Sequence, residues 1–344
     1  MKYSLADLGW SSHFMSQLTI EQLEASPPAR IISVHKNGYS ALDESGPIRL
    51  MAKPDMTQNI TVGDWVLVDQ TSLIHERLER LTALSRRAAG EDAREQMIAA
   101  NVDVLFIVTS CNSDFNPARL ERYLVLATAA GCLPVCVLTK PDLCDDPEKY
   151  AQKARSLAAD LPVLIVDARD PAQAAQLTDW WRKGQTAALL GSSGVGKSTL
   201  TATLTGEEIF TQGIRDDDAK GRHTTTARHL YQAKHGGWLL DTPGMRALRL
   251  TDVSGGIEEV FNDLASLAEQ CRFRDCAHVA EPGCAIQAET AAGRIDPNRL
   301  RRWQKLLHED VRNSETLAQS RSRSKATTQY HKRVMEDGRG RKKR

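Results

Sequence analysis

Gly191-Ser192-Ser193-Gly194-Val195-Gly196-Lys197-Ser198 fits the phosphate-binding loop pattern at every required position. The glycines let backbone N–H groups turn inward around a phosphate, and a following helix presents its positive end. Lys197 would neutralise the outer phosphates, and the Ser198 hydroxyl could bind Mg²⁺. This loop alone does not separate ATP from GTP. Thr139-Lys140-Pro141-Asp142 does, because the Asp142 carboxylate can accept hydrogen bonds from both the ring N–H and the exocyclic amine of guanine, a donor pair that adenine lacks. Lys140 would lie along the base, and Thr139 offers a hydroxyl to tie this loop to the phosphate loop.

Asp241-Thr242-Pro243-Gly244 follows the apolar Trp238-Leu239-Leu240. There an Asp can hold Mg²⁺ through water, and the Gly244 N–H can sense a γ-phosphate. As an isolated string it is also a common turn. Gly221-Arg222-His223-Thr224-Thr225-Thr226 lies in a polar stretch where a switch segment is expected, and one of its threonines, taken here as Thr225, could complete Mg²⁺ coordination. Met245 stands where many GTPases place the glutamine that orients the attacking water, and Met cannot do that. His223 is the nearest candidate, although the residues alone leave an exposed structural histidine open.

Motif order carries further information. In an ordinary small GTPase the phosphate loop comes first; here Asp142 precedes Gly191 by about fifty residues. The set is complete but its ends are rejoined elsewhere, which a domain with neighbouring termini tolerates. As a consequence the strand ending at Asp241 feeds directly into the C-terminal region. In that region Cys271, Cys276, His278 and Cys284 fall within fourteen residues and match one closed tetrahedral zinc site, structural because no position is left for a reactive water. Buried free thiols with a chance histidine are the plainer alternative.

The surrounding elements must position these groups. From Ile98 onward, apolar runs of strand length (Val102 to Val108, Leu133 to Leu138, Val163 to Val166, Ala187 to Leu190) alternate with helix-like stretches (Leu120 to Ala127, Glu148 to Ala159, Ala172 to Trp181, Ser198 to Leu204). This predicts a mostly parallel α/β sheet covered on both faces. Before it, short strands at Ile31 to Val34, Tyr39 to Leu42, Ile48 to Met51 and Gly63 to Val68, with a turn at Asn37-Gly38, predict a small closed β-barrel. Residues 1 to about 27 show little pattern, and no internal repeat is visible.

The chain of 344 residues is 41% hydrophobic and 26% charged, which predicts two or three globular domains. No apolar run is long enough to cross a bilayer and no export signal opens the chain, so a cytoplasmic location without membrane contact is expected. Net charge is only +1, yet residues 321–344 carry ten Lys or Arg, an arm suited to phosphates or simply to solvent. The other four of the seven cysteines, Cys111, Cys132, Cys136 and Cys144, read as small buried thiols. The stretch from Pro297 through Arg301, Arg302, Trp303 and Leu306 predicts a basic amphipathic helix, suited to RNA or to ordinary packing.

Together these residues resemble the RsgA (YjeQ) family, circularly permuted, ribosome-dependent GTPases that act late in maturation of the small ribosomal subunit. The resemblance spans about residues 28 to 310. It is carried by Ala99-Ala100-Asn101-Val102-Asp103, the loop Gly191 to Thr199, Gly221 to Thr226, Asp241 to Gly244, and Cys271 to Ala285 including Glu281-Pro282-Gly283-Cys284. It implies an α/β fold in which a circularly permuted P-loop GTPase domain (98–255) is flanked by an OB-type barrel (29–97) and a zinc-binding helical domain (256–318). An N-terminal extension (1–28) precedes these and a basic tail (319–344) follows. It further implies GTP/GDP, Mg²⁺ and one structural Zn²⁺ as cofactors, a nucleotide contact through Thr199, a water-positioning role for His223, and the small ribosomal subunit with its rRNA as partner of a monomer. Two departures stand out: Thr139 replaces the commoner Asn, and Val166-Asp167-Ala168 stands where a Ser-Ala pair usually backs the guanine. A rival reading is an RNA-binding assembly scaffold that uses GTP only as a structural ligand. A P-loop small-molecule kinase would explain neither Asp142 nor the zinc cluster.

Overall fold

The structure is a computed structural model that describes residues 2–53, 59–87, 95–207, 228–241 and 253–313. Two short helices, α1 (Ser12–Met15) and α2 (Ile20–Ala25), precede five strands: β1 (Pro28–His35), β2 (Gly38–Asp43), β3 (Gly46–Ala52), β4 (Trp65–Val68) and β5 (Leu73–Arg77). They pair in the order β1-β2-β3-β5-β4, and β4 returns to β1, closing the barrel expected for an OB fold. Ala29, Ile31, Tyr39, Ala41, Leu50, Val66, Val68 and Ile74 fill its interior. A separate hairpin, β6 (Ala83–Arg87) with β7 (Glu95–Ala100), leads to the next unit.

The α/β unit runs β8 (Val104–Ser110), α3 (Pro117–Ala129), β9 (Leu133–Thr139), α4 (Pro147–Arg155), β10 (Val163–Val166), α5 (Pro171–Ala174), β11 (Thr186–Leu190), α6 (Lys197–Thr205), β12 (His229–Gln232) and β13 (Trp238–Asp241). Its sheet order is β10-β9-β8-β11-β13-β12, with only β12 antiparallel. Every residue of β8 and β11 is buried, as central parallel strands require. Alternation assigns the two faces: Val104, Phe106 and Val108 point into one core with Trp181 and Leu200, whereas Leu105 and Ile107 point into the other with α3. The parallel strands put the ends of β9, β10, β11 and β13 on one edge, where ligand loops belong.

Two predicted helices come out shorter. Glu148 to Ala159 is helical only to Arg155, with Ser156 as its cap. Ala172 to Trp181 forms one α-turn followed by a 3₁₀ stretch, Ala175–Asp179, which brings Trp181 under the sheet against Phe106 with ring centroids 6.0 Å apart.

After β13 come α7 (Ser254–Val260), α8 (Asn262–Ala268), α9 (Ala285–Ala291) and α10 (Pro297–Asn313). Helix α7 lies so close to α3 that a Cβ on Gly256 would sit 2.5 Å from Val125 O. Helix α10 is tied to α3 by ions: fully buried Glu121 receives Arg302 at 2.5 Å and Arg299 at 3.2 Å, and Arg122 pairs with Glu309. The basic amphipathic helix is therefore present, with Arg299 and Arg302 turned inward for packing and Arg301, Lys305 and Arg312 exposed.

The barrel and the α/β sheet are continuous, since β1 pairs with β12 at Ser33↔His229. Fully buried Arg30 sits at this junction and donates to Leu8 O and Thr186 Oγ1. Burial pulls its guanidinium down to about 10, against the opposing pull of Asp103. The N-terminal segment, patternless in sequence, spans both units: Trp10 packs edge-on to barrel Trp65 at 4.8 Å, while Asp7 O accepts from Trp238 Nε1 at 2.7 Å. Among the described residues no helix is long and apolar enough to cross a membrane.

Candidate functional site

The loop after β11 is shaped by close approach. A Cβ on Gly191 would lie 2.1 Å from Val108 O, and Gly194 and Gly196 have φ of +81° and +98°, so glycine is required here. Gly196 caps α6, whose first turn carries Lys197, Ser198 and Thr199 with their backbone N–H groups facing the loop mouth. Lys197 Nζ donates to Gly191 O at 2.8 Å and Ser192 O at 2.6 Å, which places its charge across the loop.

The loop after β9 abuts it. Thr139 is fully buried, and its Oγ1 lies 2.6 Å from Val195 O and 3.1 Å from Thr109 O. The hydroxyl thus ties the two loops together, as expected from its position. Lys140 takes a left-handed turn (φ +55°), after which Pro141–Leu143 forms a short 3₁₀ helix that carries the half-exposed Asp142. The loop after β10 completes the edge: a Cβ on Gly196 would meet Ala168 Cβ at 3.6 Å. Its Arg169 lies 3.2 Å from Asp142 Oδ2 and pairs with Asp167.

In the C-terminal region Cys271, Cys276, His278 and Cys284 bring their ligand atoms within 4.8 Å of one another. Tetrahedral zinc with ordinary bond lengths requires edges of about 3.8 Å between sulfurs and about 3.6 Å from sulfur to nitrogen. Cys271 and Cys284 sulfurs are 3.8 Å apart, and His278 Nδ1 is 3.6 Å and 3.5 Å from them. The donor set therefore fits zinc. Glu281 organises the ligand loop by accepting the N–H groups of Val279, Ala277 and Ala280; these bonds, that of Val279 first, hold its carboxyl down to about 2. Gln287 fixes His278 by donating to its carbonyl at 2.6 Å. Of the other thiols Cys111, Cys132 and Cys136 are buried, which pushes each up to about 12, and Cys144 is half-buried.

A family model described as RsgA GTPase matches residues 77–251. The small ribosomal subunit biogenesis GTPase RsgA 2 of Vibrio vulnificus is 47% identical over 97% of this chain and 96% of its own. RsgA of Mesorhizobium japonicum is 51% identical over 90% and 91%. The chain belongs to the RsgA GTPase family. The crystal structure of YjeQ from Thermotoga maritima superposes with a TM-score of 0.61 at 26% identity, covering 83% of this chain and 98% of that one. YloQ, a circularly permuted GTPase, matches in fold with a TM-score of 0.59 at 24% identity over 87% and 100%.

Membership in the RsgA GTPase family makes this chain a GTP-hydrolysing enzyme, and the reading of GTP as a purely structural ligand is not favoured. The permutation is visible in the sheet: the phosphate-loop strand β11 lies between β8, which precedes it, and β13, which follows. Asp241 closes β13, but its side chain, Gly244, and the segment with His223 and Thr225 lie outside the described residues, as does the basic tail. Unforeseen from sequence were Arg169 beside Asp142 and the buried Glu121 group. The only signal for Arg169 was its place three residues beyond a strand of the ligand edge.

Proposed function

We propose that this chain binds GTP across the β9, β10 and β11 loops and hydrolyses it on the small ribosomal subunit during its late maturation, hydrolysis triggering release. Asp142 accepts the base, Lys140 lies along it, and Thr139 ties their loop to the phosphate loop. Gly191, Ser192, Ser193, Gly194, Val195, Gly196, Lys197, Ser198 and Thr199 take the phosphates. Ser198 and Thr225 hold Mg²⁺, which would neutralise phosphate charge. Asp241 would hold Mg²⁺ through water, Gly244 senses the γ-phosphate, and His223 positions the attacking water. The observation that carries this reading is the Thr139–Val195 contact, which makes one unit of the two loops that must grip opposite ends of one nucleotide.

The working units are taken as 1–28, 29–97, 98–255, 256–318 and 319–344, in a cytoplasmic monomer. The relatives' names support the small subunit as partner. Zinc bound by Cys271, Cys276, His278 and Cys284 would staple a loop whose exposed Arg272 and Arg274 join Arg301, Lys305 and Arg312 of α10 as a surface for rRNA phosphates. The barrel supplies a second RNA-binding module. GTP turnover measured with and without purified small subunits tests the proposal: faster turnover with subunits is expected, and equal rates would remove the ribosome from it. In the same assay His223→Ala should abolish turnover; unchanged turnover would remove His223.

A further inference from the structure

Arg169 has no part in the assignment above, yet its side chain spans two of the three loops. From its own loop it is held in a bidentate pair, with Nε donating to Asp167 Oδ1 at 2.9 Å and Nη2 donating to Asp167 Oδ2 at 2.8 Å. Asp167 is itself pinned: its Oδ1 accepts the Arg169 backbone N–H at 2.9 Å, and its own N–H donates to Gln173 Oε1 at 2.9 Å. Nη2 carries a second proton, and Asp142 Oδ2 lies 3.2 Å from it. One planar guanidinium therefore serves two carboxylates. The Arg169 hydrogen bond is the main cause holding the Asp167 carboxyl below its usual range.

The chemistry of the base gives this arrangement a consequence. Guanine offers Asp142 two N–H donors, but its next ring substituent is a carbonyl oxygen, which negative charge repels. Adenine carries an amine at that substituent, which negative charge attracts. Asp167 introduces a carboxylate into the loop whose Ala168 borders the phosphate loop at Gly196. An uncompensated charge there would work against guanine and for adenine; a charge paired bidentately with Arg169 does neither.

We propose that Arg169 is a specificity-determining residue for guanine, orienting the Asp142 carboxylate and cancelling the Asp167 charge beside the base's carbonyl oxygen. This rests on the reading of Asp142 as the guanine acceptor. Lys would supply the charge without the fork that engages Asp167 through two N–H groups.

The test is competition of GDP and ADP against a fluorescent GDP on the full chain. Arg169→Ala is expected to weaken GDP roughly fivefold, the upper range for an exposed ion pair, without weakening ADP, so that the GDP:ADP preference narrows. Arg169→Lys should fall between, and Asp167→Ser combined with Arg169→Ala should recover part of the preference, because the charge that needs cancelling is gone while Asp142 still lacks its partner. An Arg169→Ala variant with the wild-type preference, or one that loses GDP and ADP alike, overturns the proposal, as does a double variant whose preference is no better than that of Arg169→Ala. Asp142→Ala separates the underlying reading: if it leaves the GDP preference intact, Asp142 is not the acceptor and the Arg169 proposal falls with it.

Discussion

Thr139 Oγ1 and Val195 O lie 2.6 Å apart, joining the end of β9 to the middle of the phosphate loop. Both residues are buried, at 0% and 1% exposure. A hydroxyl therefore does here what the longer Asn side chain commoner in the family would do, and the loop backbones are close enough for the shorter reach to suffice.

Thr139→Val keeps the shape and removes the donor. Leaving the Val195 carbonyl without this partner costs about 1–3 kcal/mol, and the two loops lose their tie. GDP binding should weaken about tenfold, read by titration with a fluorescent GDP. Affinity within twofold of wild type would show that the tie is dispensable.

Much of the site was legible because its motifs are local: glycines with forced φ, a Lys-Ser pair opening a helix, four zinc donors within one short loop. The central strands were legible because β8 and β11 are buried on both faces and so read as unbroken apolar runs. Strand β5 was not, since only Ile74 of its residues is buried, and in β12 only Leu230 is. The N-terminal segment carried no period because Leu8, Trp10 and Phe14 pack onto other elements rather than along one face of their own. Long-range charge pairing was invisible for the same reason: nothing near Glu121 in sequence announces Arg302, 181 residues away.

The Glu121 group should be the strongest polar contributor to the α3–α10 interface. Burial pushes its carboxyl up, and Arg302 and Arg299 pull against that shift. Glu121→Ala leaves Arg302, 20% exposed, with only Asp296 at 3.8 Å, while Arg299 keeps Asp263 and the Leu157 and Val260 carbonyls, so the cost should be about 3 kcal/mol, the lower end for a broken buried pair. Arg122→Ala breaks a more exposed pair and should cost about 1 kcal/mol or less. Urea unfolding curves compare the two; equal losses would mean that α10 is held by its apolar contacts through Leu300, Trp303 and Leu306 instead.

Zinc removal should unfold locally. Trp303 packs against His278 with ring centroids 5.6 Å apart, so it reports on the ligand loop. A chelator should change tryptophan fluorescence and expose the three ligand thiols to a thiol reagent, and added zinc should reverse both. Thiols that react equally before and after chelation would count against a bound metal.

Stability should fall in mild acid through two histidines outside the nucleotide loops. Burial lowers His235, opposed by its contact to Trp181 O at 3.0 Å, and burial also lowers His229, aided by the charge of His35. A folded pKa below the ordinary 6.5 means that folding favours the neutral ring. The stability this contributes is present above the ordinary value and is lost as pH falls through the lowered folded value. Unfolding free energy should therefore decline between about pH 7 and pH 5.5. His235→Gln, which retains a donor for Trp181 O and cannot take up a proton, should show a shallower decline over that window. The ring sits edge-on to Trp181 with centroids 4.3 Å apart, so the variant will also lose some packing at every pH. It is the slope against pH, not the absolute stability, that tests the assignment, and a slope equal to wild type would mean that other groups set the acid limit.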